Sequence, residues 1–577
     1  MNPIIKIIIS TRINDCFNHQ RLHLTKETKN KQMKTVKNIS FVTVFALVLS
    51  ISLTGCQKDW LDEQPLAQLS ENSFWNSESD AMLALTGVYN GSNVGNNAYN
   101  NELLIMASAT DDSGYKNGAV GVIYSGYLVP GDAQVVQAIW QRAYRTIFKA
   151  NYFLENIDRV DMDATKKAEF VAEVRFLRAY EYFYLSVLYG GVPLITNVLT
   201  IEEANSQSRN SLEEVVDFAI AELTAAAPDL PKTRPENEKG RILRAAPLAV
   251  KGRLLMIHKR WAEAAATYKE IIDLDAHIID PRYKAIFEEA GENSKEIILS
   301  TNCVAGLYAN AQNQRNYHPD FYGGYQEDNA FQGLIDAFLM NDGLPIEESP
   351  KYDPENPYDN RDPRLYASIF LPEYTVFRGT KYLAHPDLTN SGIASLIGAT
   401  GYGWKKYVTE DYAGDQASSG DDIILIRYAE VLLSYLESKI ENGDAITQAL
   451  LDETINKVRG REEVHMPPVT ETDPDKLREI VRRERRVEFC LERLIRYMDI
   501  RRWGIFMEVM NRQFYGMKLT DDPDNYTDYS VEKTGKYRGH YKVINKTGTI
   551  KPEMALLPIP QYEININPSL EQNPGYN

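Results

Sequence analysis

The sequence predicts a mostly α fold: tetratricopeptide-like helical pairs form a scaffold, and long irregular loops with minor β structure carry a ligand site. Three observations lead there. Apolar residues recur at three- and four-residue spacing in several separated blocks. Small residues stand where paired helices would cross. Two long stretches, 90–133 and 300–420, are rich in Gly, Asn, Asp, Pro and Tyr and hold no sustained period.

Along the chain, residues 1–32 precede Met33-Lys34, where a leader of normal length begins. Lys31, Lys34 and Lys37 are followed by an uncharged run from Ile39 to Leu53 and by Leu53-Thr54-Gly55-Cys56, the order of a bacterial lipoprotein signal. The run, about 15 residues, is short of the ~20 that a membrane-spanning helix needs. Cleavage before Cys56 would leave it as the acylated first residue. The expected organisation is therefore a removed segment 1–55, a lipidated tether 56–66 and a single binding domain 67–577, with an N-terminal part to about 290 and a C-terminal part from 291.

The helical blocks come in pairs. Ile139, Ala143, Ile147, Ala150, Leu154 and Ile157 form one stripe. Lys167 to Tyr189 forms a second block, stopped by Gly190-Gly191 and Pro193. The short connection makes the two antiparallel partners. Ala245 to His258 pairs with Trp261 to Leu274 through Ala249, Gly252, Ala264 and Ala265, and Tyr268 stands where a tetratricopeptide repeat places an aromatic. Ile424 to Ile440 and Ala445 to Val458 are read as a third pair around Gly443. The pairs are irregularly spaced, which predicts a scaffold with insertions and not an open solenoid.

A net charge of −17, more negative still once residues 1–55 are removed, argues against nucleic acid or an anionic membrane surface as general partners. Cys303 and Cys490 are expected as two buried thiols, without a bridge. No P-loop, dinucleotide fingerprint, zinc helix, EF-hand or nucleophile elbow is present, so neither cofactor nor metal is expected. The acidic run from Asp521 to Asp528 lacks the Gly and distal Glu of a calcium loop and reads as a solvated turn. Glu484, Glu488 and Glu492 recur every fourth residue on one helix face, but they are interleaved with arginines and read as intrahelical or buried ion pairs. Catalytic carboxylates would have to face each other across a substrate, so no enzymatic activity is expected.

The irregular stretches carry the candidate site. Asp111, Asp112, Tyr115, Tyr124 and Tyr127 cluster in the first; Asn316, Tyr317, Phe321, Tyr322 and Tyr325 cluster in the second, with Gly323 and Gly324. Sugar rings present apolar C–H faces and a hydroxyl rim, so flat aromatic rings beside carboxylates and amides suit a saccharide.

Specific blocks then supply a resemblance. Phe74-Trp75, Asp80-Ala81 and Gly87-Val88-Tyr89 are followed by Ala172-Glu173-Val174-Arg175-Phe176-Leu177-Arg178-Ala179-Tyr180 and by Tyr189-Gly190-Gly191-Val192-Pro193-Leu194. Arg361-Asp362-Pro363-Arg364-Leu365, Ile426-Arg427-Tyr428-Ala429-Glu430, Glu484-Arg485-Arg486-Val487-Glu488, Asp499-Ile500-Arg501-Arg502-Trp503, Leu557-Pro558-Ile559-Pro560 and Asn573-Pro574-Gly575-Tyr576 continue in order. From leader to last residue the chain resembles the SusD/RagB family of outer-membrane nutrient-binding lipoproteins. The resemblance implies a non-catalytic protein, lipid-anchored on the outer membrane of a Gram-negative bacterium and facing the exterior. It would bind oligosaccharides, or peptides as in the RagB branch, and deliver them to a SusC-like TonB-dependent transporter.

Overall fold

Local capping signals set where the helices begin and end. The computed structural model describes residues 74–92, 94, 109–115, 126, 128–310, 312–319, 323–384, 400–527, 530–543 and 548–576; the leader and Cys56 lie outside them. Helix α1 (Glu78–Gly91) starts at Ser77, whose hydroxyl accepts the Asp80 N–H while the Asp80 carboxylate accepts the Ser77 N–H, a reciprocal capping box. Helix α2 (Ala138–Asn156) buries Ile139, Ala143, Ile147 and Ala150 as the periodicity predicts. Helix α3 (Ala164–Tyr189) is capped by Asp163 and stopped at Gly190, whose φ of +80° is a conformation that favours glycine. From Phe176 to Tyr189 every residue of α3 is buried, the mark of a helix enclosed on all sides. It packs against α2 and against α4 (Leu212–Ala226).

The second pair forms as expected from α5 (Ala245–Ile257) and α6 (Trp261–Asp273). A Cβ on Gly252 would lie 2.5 Å from Cζ of Tyr268, so only glycine lets this ring into the crossing. The third pair is corrected. Ile423–Arg427 is a strand that pairs antiparallel with Ile297–Thr301, and the helix begins only at Tyr428. A short, mostly apolar run rich in isoleucine suits a buried strand as well as a helix, and here a distant partner decides. The Ala445 to Val458 segment is two short helices, Gln448–Glu453 and Ile455–Arg459, broken at Thr454.

These strands are β2 (Ile297–Thr301) and β6 (Ile423–Arg427) of the chain. β1 (Ser113–Tyr115), β3 (Asp328–Ala330), β4 (Ile369–Phe370) and β5 (Gly403–Trp404) make a four-stranded antiparallel sheet in the order β1-β3-β5-β4. Behind it Phe370, Trp404, Phe331 and Phe514 join a buried aromatic core, the last two stacked at 4.4 Å. The described residues of the long stretch 300–420 thus include short strands too brief to show a period. Helix α7 (Tyr428–Glu441) packs on α6, and α8 (Pro474–Glu488) packs on α7. Cys303 and Cys490 are buried, with no disulfide between them. Residues 75–577 form one compact unit, and no described helix is long and apolar enough to cross a membrane.

Candidate functional site

The loops rest on a buried charge network centred on α8. Glu488 accepts hydrogen bonds from Arg364 (2.8 Å), Arg427 (2.7 Å) and Arg461 (2.8 Å). Glu484 takes Arg364 and Arg459, while Glu492 takes Arg427 and Lys406. Burial alone would raise the Glu488 carboxyl, but Arg461, Arg427 and Arg364 hold it well below the usual range. The expected common helix face needs correction, since α8 ends at Glu488 and Glu492 lies beyond it; of the two ion-pair readings the buried one holds, with arginines from distant segments. Each ion gives up much hydration, which is offset only because nearly every carboxylate oxygen is hydrogen-bonded. The network joins β6, α8 and the Arg361–Leu365 block, and so fixes the frame from which the loops leave.

Asp111 and Asp112 belong to this frame. Arg496 donates to both oxygens of Asp111 at 2.9 and 2.7 Å, and Arg486 donates to Asp112 at 2.6 Å. Both carboxylates are buried. Burial opposes ionisation of Asp111, and the Arg496 and Arg486 guanidiniums outweigh it, holding its carboxyl below the ordinary value. Arginine partners from the far end of the chain thus engage carboxylates that the sequence suggested for sugar hydroxyls. The Phe331 N–H donates to the Asp112 carbonyl at 2.8 Å, which leads the chain into β1.

β1 then joins the two candidate segments. Its Tyr115 stands opposite Asp328 in β3, three residues after Tyr325, so both segments enter neighbouring strands of one sheet. Tyr115 is described by its backbone alone, and Tyr124, Tyr127, Phe321 and Tyr322 lie outside the described residues. Asn316 and Tyr317 are buried; the Tyr317 ring stacks on Tyr407 at 6.2 Å and so anchors the second loop to the core. Tyr325 alone of the described candidate side chains is exposed. The Arg315 guanidinium lies 4.4 Å from its ring centroid, and the Tyr325 N–H donates to the Arg315 carbonyl.

A neighbouring turn supplies side chains that sequence reasoning passed over. Val304 and Tyr308 exchange backbone hydrogen bonds around Gly306, whose φ is +75°. The Gly306 N–H donates to Ser418 Oγ at 3.0 Å, and Asn310 is held to Ser419 by two further bonds. The tight turn pushes Leu307 out to 85 % exposure and Tyr308 to 39 %. The Tyr308 hydroxyl donates to Asn90 Oδ1 of α1 at 3.1 Å. Between α1 and this turn lies a cavity of about 420 Å³, lined by Leu85, Thr86, Asn90, Lys239, Ser300, Asn302, Leu307 and Tyr308 among others. Apolar faces, two amides, hydroxyls and one ammonium meet there, the mixture a saccharide needs. A Gly-Leu-Tyr turn inside an aperiodic stretch was the available signal.

Behind the cavity, Asp422 accepts the Cys303 N–H at 2.8 Å and the Ser300 hydroxyl at 3.4 Å. Burial, then the nearby Glu292, pushes its carboxyl up to about 7. It supports the β2 end of the turn from inside the protein. The acidic turn around Asp521 is solvated: Asp521 pairs with Lys518, and Asp524 with Arg538. Among the described residues no group of His, Cys, Asp and Glu could hold a metal ion.

Comparison with known proteins agrees with this architecture. A model of the SusD family matches residues 285–576, and a second, described as "Starch-binding associating with outer membrane", matches residues 59–256. The chain belongs to the SusD family. A crystal structure of a SusD-like carbohydrate binding protein from Bacteroides fragilis is 36% identical, with a TM-score of 0.79, and the match covers 86% of this chain and all of that one. Another SusD-like protein of that species is 28% identical with a TM-score of 0.72, over 89% of this chain and 100% of its own. SusD-like protein P25 of Formosa agariphila is 24% identical over 92% of this chain and 97% of its own length. The second model's description names starch binding and association with the outer membrane, and the 36% identical Bacteroides fragilis protein is named as carbohydrate binding.

Proposed function

We propose that this SusD-family protein is a non-catalytic, lipid-anchored receptor at the cell exterior that captures oligosaccharides and passes them to a SusC-like TonB-dependent transporter. The observation that carries the reading is the Leu307–Tyr308 turn over its 420 Å³ cavity: aromatic and apolar faces beside amides, held rigidly and exposed to solvent. Two further features support capture without turnover. The three regularly spaced glutamates are occupied by arginines and a lysine in the interior. Asp111 and Asp112 are likewise neutralised by arginine. The 36% identical relative named as carbohydrate binding points to the same ligand class.

Calorimetry of the purified protein against starch, laminarin, xylan and mannan oligosaccharides, with mixed peptides as a second arm, tests this. Saccharide binding with no new reducing ends is expected. Binding of peptides alone, or release of new reducing ends, would overturn the reading. Extraction of the protein from its own membranes is expected to co-isolate a TonB-dependent β-barrel, and recovery of the protein alone would contradict the transporter step.

A further inference from the structure

A second cavity lies on the helical scaffold, away from the loops. It measures about 390 Å³ and is bounded by α2, the segment from Pro193 to Gln207 and the C-terminal segment from Glu563 to Leu570, sharing no lining residue with the cavity under Leu307. Along α2, Trp140, Tyr144 and Phe148 recur every fourth residue and so present one face. The Trp140 and Tyr144 rings lie 4.9 Å apart, and Phe148 is stacked on Tyr152 at 13° between planes. Phe148 is 51 % exposed, so its ring edge and outer face are open to a ligand.

The walls are fixed by hydrogen bonds. The Tyr144 hydroxyl donates to the Pro193 carbonyl at 2.8 Å, the Gln141 amide donates to Glu563 at 3.0 Å, and Asn567 donates to the Gln207 carbonyl at 2.7 Å. Within this rigid frame Arg145 and Asn205 line the cavity and make no side-chain hydrogen bond or ion pair among the described residues. Arg145 and Asn205 are exposed at the cavity's rim, where a hydroxyl-bearing ligand would find hydrogen-bond partners and a purely hydrophobic one would not. A row of rings flanked by an unengaged guanidinium and amide instead suits a ligand with apolar C–H faces and a hydroxyl rim.

We infer that the α2 cavity is a second saccharide-binding site. The inference rests on the glycan-binding reading above. Two sites on one protein would let a single long chain engage both, so the second contact would matter most for polymers.

Affinity electrophoresis in gels containing starch, laminarin, xylan or galactomannan tests it with the parent, Phe148→Ala, Phe148→Tyr and Tyr308→Ala proteins. Retardation of the parent in at least one polysaccharide is expected, with a threefold or greater rise in apparent dissociation constant for Phe148→Ala and recovery in Phe148→Tyr. Phe148 is half exposed, so circular dichroism is expected to be unchanged. If Phe148→Ala migrates like the parent while Tyr308→Ala loses retardation, the second site is overturned and the glycan reading stands. If no polysaccharide retards the parent, the glycan reading fails and the second site with it.

Discussion

The network around Glu488 and the surface around Tyr308 use polar residues in opposite ways. In the first, Arg364, Arg427 and Arg461 are wholly buried and directed at carboxylates, so almost nothing is left for a ligand. In the second, Leu307 and Tyr308 project from a turn held by backbone bonds, and the one described side-chain bond of the pair is the exposed Tyr308 hydroxyl on Asn90. On the proposed function, stability and recognition are thus separated in space. Charge is concentrated where the protein is rigid, and the exposed aromatic and apolar surface is concentrated where a ligand can reach it.

The largest test of that separation is Glu488→Gln. Three buried guanidiniums would lose their common anion, at a cost of about 3–5 kcal/mol measured by urea unfolding. Loss below 1 kcal/mol would show that the network is not what holds the frame. Because the Glu488 carboxyl is held below its ordinary value, its contribution is present above the usual glutamate range and is lost as pH falls through and below it. Next in size is Gly252→Ala, where the added Cβ meets the Tyr268 ring; overpacking of about 1–3 kcal/mol is expected.

Asp422 titrates with the opposite sign. Its folded-state pKa is raised from 3.8 to about 7, so the folded chain keeps a proton that the unfolded chain has released. That stabilisation is fully present below about pH 4 and is lost as pH rises towards about 7. Asp422→Asn is expected to flatten the pH dependence of unfolding across that window; an unchanged slope would contradict it. The smallest effect on stability belongs to Tyr325→Ala. Within about 0.5 kcal/mol of the parent is expected, because an exposed ring beside Arg315 is lost.

The legibility of the sequence follows the same division. Helix pairs were readable because each buries a continuous stripe within a few turns, and Gly252 opposite Tyr268 bore out the predicted crossing. β6 was misread as helix because its identity depends on pairing with β2, more than a hundred residues upstream. Asp111 and Asp112 looked like sugar partners because Arg486 and Arg496 are so far along the chain. Within the aromatic second loop Tyr317 anchors the core while Tyr325 is exposed, and Tyr308, outside the predicted set, faces solvent as well. Composition marks an aromatic region, but exposure of one ring over another depends on turn geometry that only the fold supplies.

The most direct test of that claim is a paired measurement on Tyr308→Ala: saccharide affinity by calorimetry and unfolding free energy by urea. At least a tenfold loss of affinity with stability within about 0.5 kcal/mol of the parent is expected. Unchanged affinity would contradict the assignment of recognition to this turn.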